Sequence, residues 1–393
     1  MLTDAHITII KSTIPLLENA GPELTSYFYK RMFSQNPELQ DIFNMSNQHT
    51  GRQQVALFEA IAAYAKNIEN LLVLTTAVER IANKHTSFNI QADHYAIVGH
   101  HLIETLRELA PEAFTSEVEE AWGSAYQFLA QIFIKREDEI YQTNANTTGG
   151  WTGKRAFKII DKIIESKLVK SFILEPVDKQ PVIDFTPGQY LGVEVIPTGS
   201  DYKEIRQYSL SDKPNGKTYR ISVKRETIGV PGIVSNFLHD GIAIGDVINV
   251  NAPAGDFFFV DRAAPVVLLS AGVGITPMQS MLETLAQNNY QFPVHYLHAC
   301  ENEEQHSFNQ RVQSLTADKN WQQTTWYRDE ISENKNIEHG VMDFSSKSLP
   351  LSDGDFYLCG PIGFMQFAKQ QLLTLGVCET RVHYEVFGPH ASL

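Results

Sequence analysis

His85 is the histidine whose surroundings suggest more than a place in a core. It ends a run in which Val78, Ile81 and Ala82 fall on one helical face, so its imidazole shares a buried side. A buried histidine alone is ordinarily a core residue satisfied by hydrogen bonds. Here Tyr95 follows ten residues later, and Glu137 falls in line with Trp122, Tyr126, Leu129 and Phe133 at helical spacing. A buried carboxylate is costly unless it is paired or protonated, so Glu137 calls for a partner. An imidazole that gives one nitrogen to a metal needs an acceptor at the other, which Glu137 and Tyr95 can provide. The neighbouring Arg136 keeps a plainer reading of Glu137 open, an exposed charge pair worth little. Tyr29, with Gln53 and Leu57 four apart on one helix face, can line a pocket of one hydroxyl, one amide and apolar walls.

Two further clusters suit phosphates and planar rings. Arg206-Gln207-Tyr208-Ser209 reads as strand, with Arg206 and Tyr208 on one face and Ser209 on the other. A guanidinium fork grips a diphosphate, a phenol lies along a ring system, and a hydroxyl bonds a flavin nitrogen. The motif is short and gains weight from PGQY before it, ending in Tyr190, and GIVSNFLHD after it. There Val234 and Ser235 open a helix whose backbone N–H groups can meet phosphate. Gly272-Val273-Gly274-Ile275-Thr276-Pro277 follows the apolar run PVVLLS directly. A strand, a glycine turn and a helix in that order let the backbone approach a pyrophosphate, with Thr276 expected to cap the helix. Glu301, Glu303 and Glu304 follow the next apolar run. Carboxylates at a strand end suit a free ribose hydroxyl and repel a 2′-phosphate, which favours NADH, although Arg311 could swing in toward NADPH.

Three kinds of scaffold are needed to position these residues. Residues 1–140 read as helix almost throughout. Thr3 is a cap, Ile7, Ile10, Ile14 and Leu17 form a first stripe, and Gly21-Pro22 breaks it. Further breaks fall at Asn36-Pro37 and within 46–51, ahead of helices at 55–71, 75–86, 92–109 and 116–141. Residues 143–153 (TNANTTGGWTG) are small, polar and glycine-rich, the composition of a linker. Short β-prone runs at 157–164, 168–174, 190–195, 204–210 and 219–224 predict a small antiparallel barrel. From Pro265 onward, strands at 265–270, 294–299, 324–327 and 356–359 alternate with helices such as 278–286, which predicts a parallel α/β sheet of the nucleotide-binding kind. The expected organisation is an all-α domain at 1–142, a linker at 143–153, an antiparallel β-barrel at 154–262 and an α/β domain at 263–393.

Composition narrows the function. At 393 residues the chain is too long for one ordinary domain, and 43% hydrophobic residues exclude wholesale disorder. Lys+Arg 32 against Asp+Glu 46 gives a net charge of −14, which argues against nucleic acid or an anionic membrane as partner. Cys300, Cys359 and Cys378 lie far apart, so neither a disulfide framework nor a zinc site is expected. The first 20 residues carry no basic start, long apolar run or cleavage site, and no stretch approaches ~20 apolar residues. A soluble protein of a reducing compartment is expected.

Residues 1–140 resemble the globin family, and NPELQDIFNMSNQ followed by IANKHTSF is similar to its flavohaemoglobin branch. The resemblance implies haem b, one per chain, with His85 as the ligand to iron and Phe43 packed on the porphyrin. It implies Tyr29 and Gln53 as distal hydrogen-bonders, Leu57 as a steric gate, Lys84 as an influence on haem potential, and Tyr95 with Glu137 as partners of His85. The later motifs resemble the ferredoxin–NADP reductase superfamily. On that resemblance Tyr190, Arg206, Gln207, Tyr208 and Ser209 contact one FAD, and Val234 and Ser235 lie near its diphosphate. The run Gly272 to Pro277 and the motif YLCGP, with Cys359, Gly360 and Pro361, would receive NAD(P)H. The tail HYEVFGPH is similar to the flavohaemoglobin C-terminus, where Phe387 lies against flavin and Gly388, Pro389 and His390 close over it. Val386 departs from some relatives there.

The order haem globin, flavin barrel, nicotinamide domain is informative because an oxygen carrier needs no attached reductase. The resemblance implies nitric oxide dioxygenation: NO and O2 become nitrate with electrons from NAD(P)H, in a cytoplasmic monomer with no nucleic-acid or integral-membrane partner, and with room for a lipid in the distal pocket. Two rivals stay open at this point, a general reductase of ferric iron, quinones or peroxides, and an O2 or NO sensor. A sensor ordinarily carries an output domain, and the three domains consume the chain.

Overall fold

The computed structural model describes residues 2–43 and 51–388. The chain divides into two compact units. The first holds residues 1–147 with 151–154 and 200–206, and the second holds the remainder.

The first unit is helical. Helix α1 (Asp4–Gln35) is capped by Thr3, whose hydroxyl accepts from the His6 N–H at 3.2 Å. At Gly21 the backbone turns to φ 56°, ψ −157°, and Pro22 starts the run again, so α1 is two helices joined at a break. Then come α2 (Arg52–Lys66), α3 (Thr75–Ser87), α4 (Ala92–Leu109) and α5 (Ser116–Asn146). Their core joins Leu24, Phe28, Tyr29 and Met32 of α1 to Tyr64 and Ala65 of α2 and to Trp122 and Ala125 of α5. Two ends differ from the sequence reading. Helix α2 stops at Lys66 because the Asn67 side chain caps the Ala63 carbonyl at 2.8 Å, and Leu71–Leu74 winds separately as a 3₁₀ turn. Helix α5 runs on to Asn146, since the Thr143 hydroxyl bonds back to the Glu139 carbonyl and keeps the last turn closed.

The second unit carries two sheets of six strands each, except that Glu204–Arg206 of the antiparallel sheet fall in the first. The antiparallel one is built from β1 (Arg155–Ile164), β2 (Val169–Pro176), β3 (Tyr190–Val195), β4 (Glu204–Ser209), β5 (Tyr219–Lys224) and β6 (Val247–Val250), ordered β4-β3-β6-β1-β2-β5. Leu210, one residue past β4, bridges Ile221 of β5, so the two edges meet and the sheet closes as a barrel. Helix α6 (Ile233–Asp240) lies between β5 and β6. The parallel sheet comprises β7 (Val266–Ala271), β8 (Val294–Cys300), β9 (Gln322–Tyr327), β10 (Ile337–His339), β11 (Asp355–Cys359) and β12 (Val382–Glu385), in the order β10-β9-β8-β7-β11-β12. Helices α7 (Ile275–Gln287), α8 (Asn309–Asp318) and α9 (Ile362–Thr374) alternate with its strands. All six residues of β7 are buried, with Val266 and Leu268 in one core and Val267 and Leu269 in the other, which is why the run is apolar without alternation. Strand order reverses beside β7, between β8 and β11, and a ligand crevice belongs at that point. Among the described residues no helix is long and apolar enough to cross a membrane.

Candidate functional site

In the helical unit the structure brings His85, Tyr95 and Glu137 together. His85 stands in the last turn of α3, Tyr95 in the first turn of α4, and Glu137 on the inward face of α5, 2% exposed. The Tyr95 hydroxyl donates to Glu137 Oε1 at 2.5 Å, and His85 Nδ1 lies 2.8 Å from the same oxygen and 2.9 Å from the Tyr95 hydroxyl. A carboxylate can only accept, and the tyrosine proton is already given to it. The imidazole proton is therefore assigned to Nδ1, and Nε2 keeps its lone pair. Nε2 has no protein partner among the described residues, and a third of the side chain is open. An unprotonated imidazole nitrogen is what haem iron requires of a histidine ligand, and the carboxylate behind it fixes the ring, so these residues fit the group. Burial first and the Glu137 carboxylate second push the Tyr95 phenol well above its ordinary pKa, which keeps it a donor.

Helix α5 also supplies contacts that residue types alone did not announce. Phe133 packs 5.8 Å from the His85 ring and 6.3 Å from the Tyr95 ring. The Tyr126 hydroxyl donates to the Tyr95 carbonyl at 2.6 Å, and the Tyr141 hydroxyl to the Ile90 carbonyl at 2.7 Å. Gly99 is required opposite Tyr126, because a Cβ there would lie 2.3 Å from its ring. The signal was present in the sequence as aromatic residues four and seven positions from Glu137 or Phe133. Arg136 pairs with Glu79 and Glu139, while Glu137 itself faces inward.

The distal candidates lie within one apolar core. Tyr29 is 5% exposed and meets Phe43 edge-on at 5.8 Å, and Leu57 packs on the same cluster. Gln53, one turn before Leu57 on α2, buries Oε1 without a hydrogen-bond partner among the described residues. An orphaned buried amide oxygen is costly in the protein alone and is the second feature that fits a bound group. Lys84 directly precedes the histidine in α3.

In the second unit the barrel places Tyr190 at the start of β3, where its ring lies over Gly255. A Cβ at Gly255 would sit 2.9 Å from that ring. On β4, Arg206, Gln207 and Tyr208 are all half-buried and Ser209 is 7% exposed, so burial does not alternate along this strand. The Arg206 guanidinium is braced by Glu204 Oε2 at 2.7 Å and donates to the Ile205 carbonyl at 2.9 Å. Val234 and Ser235 are buried at the start of α6. The Ser235 hydroxyl is engaged within the turn, accepting from the Glu226 N–H and donating to the Gly232 carbonyl, each at 3.2 Å.

In the parallel-sheet domain β7 runs into Gly272, at φ 53°. A Cβ at Gly274 would lie 2.2 Å from the Cys359 carbonyl oxygen, and one at Gly360 2.9 Å from Phe364 and 3.1 Å from the Ala271 nitrogen. The two glycine turns therefore pack against each other at the ends of β7 and β11. One expectation is corrected here. Thr276 does not cap α7, because the cap position is Gly274 and the Thr276 hydroxyl donates to the Val273 carbonyl at 3.0 Å from inside the first turn. Ile275 and Pro277 are buried beside it. Cys359 is fully buried, and burial holds its thiol well above the usual range, so it is a neutral wall. Arg311 does not swing free, being held by Glu283 in a two-pronged pair at 2.6 and 2.5 Å, with Glu283 2% exposed. Phe387 is exposed, Val386 is buried and Gly388 stands at φ 127°, while Pro389 and His390 lie outside the described residues.

A helical unit with an activated histidine, joined in one chain to a closed barrel and a doubly wound sheet, defines a globin fused to a flavin- and nicotinamide-dependent oxidoreductase. Comparison with known proteins agrees. The Globin family matches residues 26–133, the Oxidoreductase FAD-binding domain residues 156–259 and the Oxidoreductase NAD-binding domain residues 268–370. A flavohemoprotein of Vibrio cholerae serotype O1 is 60% identical over 395 residues, covering 100% of both chains. The flavohemoglobin of Malassezia yamatoensis, solved with FAD and heme bound, superposes with a TM-score of 0.87 at 25% identity over 98% of this chain and 100% of that one. The FAD/NAD-binding domain of a nitric oxide dioxygenase from Vibrio cholerae O1 biovar El Tor is 54% identical, with a TM-score of 0.58 over 60% of this chain and 99% of that one. The chain belongs to the flavohemoprotein family. Its cofactors are haem, FAD and a nicotinamide dinucleotide, and it couples a reductase to a globin.

Proposed function

We propose that this chain is a nitric oxide dioxygenase, which turns NO and O2 into nitrate at the expense of NADH. The observation that carries the reading is the Glu137–Tyr95–His85 tie in a chain that also holds its own reductase. When bound, haem supplies the iron for O2 and FAD divides a hydride pair into single electrons.

The protein's part is to hold and to orient. His85 presents Nε2 to iron, and Glu137 draws on the Nδ1 proton, which makes the imidazole a stronger donor than a plain histidine. A gas carrier has no use for that electron push, whereas a turnover enzyme does. Tyr29 and Gln53 offer a hydroxyl and an amide to charge developing opposite His85, a fixed-dipole effect. Leu57 and Phe43 keep that space apolar. Arg206 grips the FAD diphosphate, Tyr190 and Tyr208 flank its ring system, Gln207 and Ser209 bond its edge, and Phe387 covers the flavin. The Gly272 to Pro277 turn and Cys359 to Pro361 receive NADH. The domain limits 1–142, 154–262 and 263–393, the roles of Lys84, Val234, Ser235 and Gly388, the preference for NADH and a cytoplasmic setting belong to the same reading.

NO-dependent NADH oxidation in air tests it. Wild-type protein should show it strongly, and His85→Ala should lose it while keeping NADH-to-dye reduction through FAD. Full NO-dependent activity in His85→Ala would refute the haem assignment. NADH oxidation indifferent to NO would favour a general reductase.

A further inference from the structure

Just past β4 the barrel meets the helices of the parallel sheet. Ser209 ends β4, and Ser211, two residues on, lies beside Arg220 of β5 at the seam that closes the barrel. The Ser211 N–H bonds the Arg220 carbonyl at 2.9 Å. The Arg220 guanidinium turns back on Ser211, donating to its carbonyl and, at 3.2 Å, to its hydroxyl. Asp212 stands 3.8 Å from the same guanidinium, and its carbonyl accepts from the Ser280 hydroxyl of α7 at 2.7 Å. The guanidinium also covers the Phe308 ring, 5.3 Å from its centroid, where α8 begins. One side chain, 12% exposed, joins the end of β4 to α8, beside a second tie to α7.

Phe308 goes against local preference twice. It stands at φ 58°, ψ 11°, a left-handed backbone that bulky side chains avoid, and it holds the cap position of α8, which suits Ser, Thr, Asp or Asn. Such strain persists only where the surroundings hold it. The ring is 4% exposed, in one core with Val312 and Tyr296, and Arg220 lies over it. The residues before it are fastened to the barrel as well. The Ser307 hydroxyl donates to Ser166 at 2.9 Å, and Glu304 pairs with Lys167 at 2.6 Å.

We infer that Arg220 is a positioning residue for hydride transfer, holding the flavin strand and the two helices beside the dinucleotide at one fixed spacing. The inference rests on the reading that β4 holds FAD and that the Gly272 to Pro277 turn receives NADH. In that step a C–H bond of the nicotinamide ring breaks and the hydrogen passes to FAD with both electrons, so NADH leaves as NAD+. Arg220 acts through Ser211, which continues the flavin strand, and through Phe308 and Asp212, which meet α8 and α7. A misplacement of about 1 Å between reacting groups costs about a hundredfold in rate. The planar fork suits this place and a lysine does not, because one ammonium cannot bond Ser211 and cover Phe308 together.

Anaerobic stopped-flow reduction of FAD by NADH in the holoenzyme separates placement from binding. In Arg220→Met the limiting rate should fall about tenfold or more, while FAD content and the NADH dissociation constant stay within about twofold of wild type. Arg220→Lys should recover only part of the loss, and it carries the same test should the Met variant fail to fold. Phe308→Leu should slow reduction in the same way. The double variant Arg220→Met/Phe308→Leu should be no slower than the slower single one, because partners in one contact do not add. Hydrogen exchange without NADH gives a second reading. The Val312 N–H, bonded to the Phe308 carbonyl at 2.9 Å, should exchange about tenfold faster in Arg220→Met. A limiting rate and an exchange rate both within about twofold of wild type would overturn the proposal, and so would lost FAD, or losses that multiply in the double variant. Gly274→Ala separates the reading beneath. An NADH dissociation constant unmoved there, at an unmoved melting temperature, rejects the turn as the dinucleotide site and the inference with it. A weakened constant there, beside an unmoved limiting rate in Arg220→Met, rejects Arg220 alone.

Discussion

Glu137→Gln keeps the size of the side chain and removes its charge. In the native geometry one oxygen, Oε1, accepts from the Tyr95 hydroxyl at 2.5 Å and from His85 Nδ1–H at 2.8 Å, in a residue 2% exposed. A hydrogen bond to a charged acceptor contributes about 1.5–3 kcal/mol and one to a neutral amide about 0.5–1.5 kcal/mol, so each tie weakens by roughly 1 kcal/mol. Only the His85 tie reaches the imidazole directly. If that roughly 1 kcal/mol favoured oxidised iron, losing it raises the one-electron haem potential by about 40 mV, at 59 mV per tenfold. The weaker donor also lowers the iron–histidine stretching frequency. A spectroelectrochemical titration and resonance Raman of the ferrous protein read both, with haem content measured beside them. Full haem loading with an unmoved band, an unmoved potential and unchanged NO turnover would refute the argument and leave Glu137 as a packing residue.

Three other predictions follow from single contacts. Arg206→Ala should purify with haem and little flavin, because an unpaired buried diphosphate costs about 2–5 kcal/mol, and stoichiometric FAD in that variant would count against the clamp. Gly274→Ala forces a Cβ to within 2.2 Å of the Cys359 carbonyl oxygen, so NADH KM should rise or the melting temperature fall by the equivalent of about 1–3 kcal/mol, and a variant with both unchanged would contradict the packed turns. His306, stacked on His298 at 5.3 Å and bonded to Tyr327 at 2.9 Å, is lowered by burial from 6.5 to about 4. It is neutral when folded, so its stability contribution is whole above pH 6.5 and is lost as pH falls from 6.5 toward 4. At about 1.4 kcal/mol per pH unit the loss is about 3 kcal/mol. Melting curves across that range check it, and His306→Phe should flatten the slope.

The sequence carried the periodic and the punctuated parts of the fold well. Gly21-Pro22 marked its break, Tyr190–Val195 and Tyr219–Lys224 were legible to the residue, and PVVLLS announced a strand covered on both faces. Strands β6, β10 and β12, four, three and four residues long, were not legible, because runs so short have no period of their own and are defined by their neighbours. Side-chain commitments were hidden for the same reason. Nothing in the spacing of Arg311 says that Glu283 holds it, and nothing in Thr276 says that its hydroxyl turns back to Val273. Glu137 was legible because a charge on an apolar face needs a partner. The imidazole's need for an acceptor suggested His85 and Tyr95 as its partners, and resemblance strengthened that choice, although 42 residues separate Glu137 from Tyr95.

The account turns on where the electrons end. Nitrate formed and NADH consumed, measured together in air-equilibrated buffer with added NO, test this most directly. The account predicts two NO consumed and two nitrate formed for each NADH oxidised, since a hydride carries two electrons and each NO with one O2 takes one. NADH oxidised without nitrate, or at a rate that NO does not change, would contradict it.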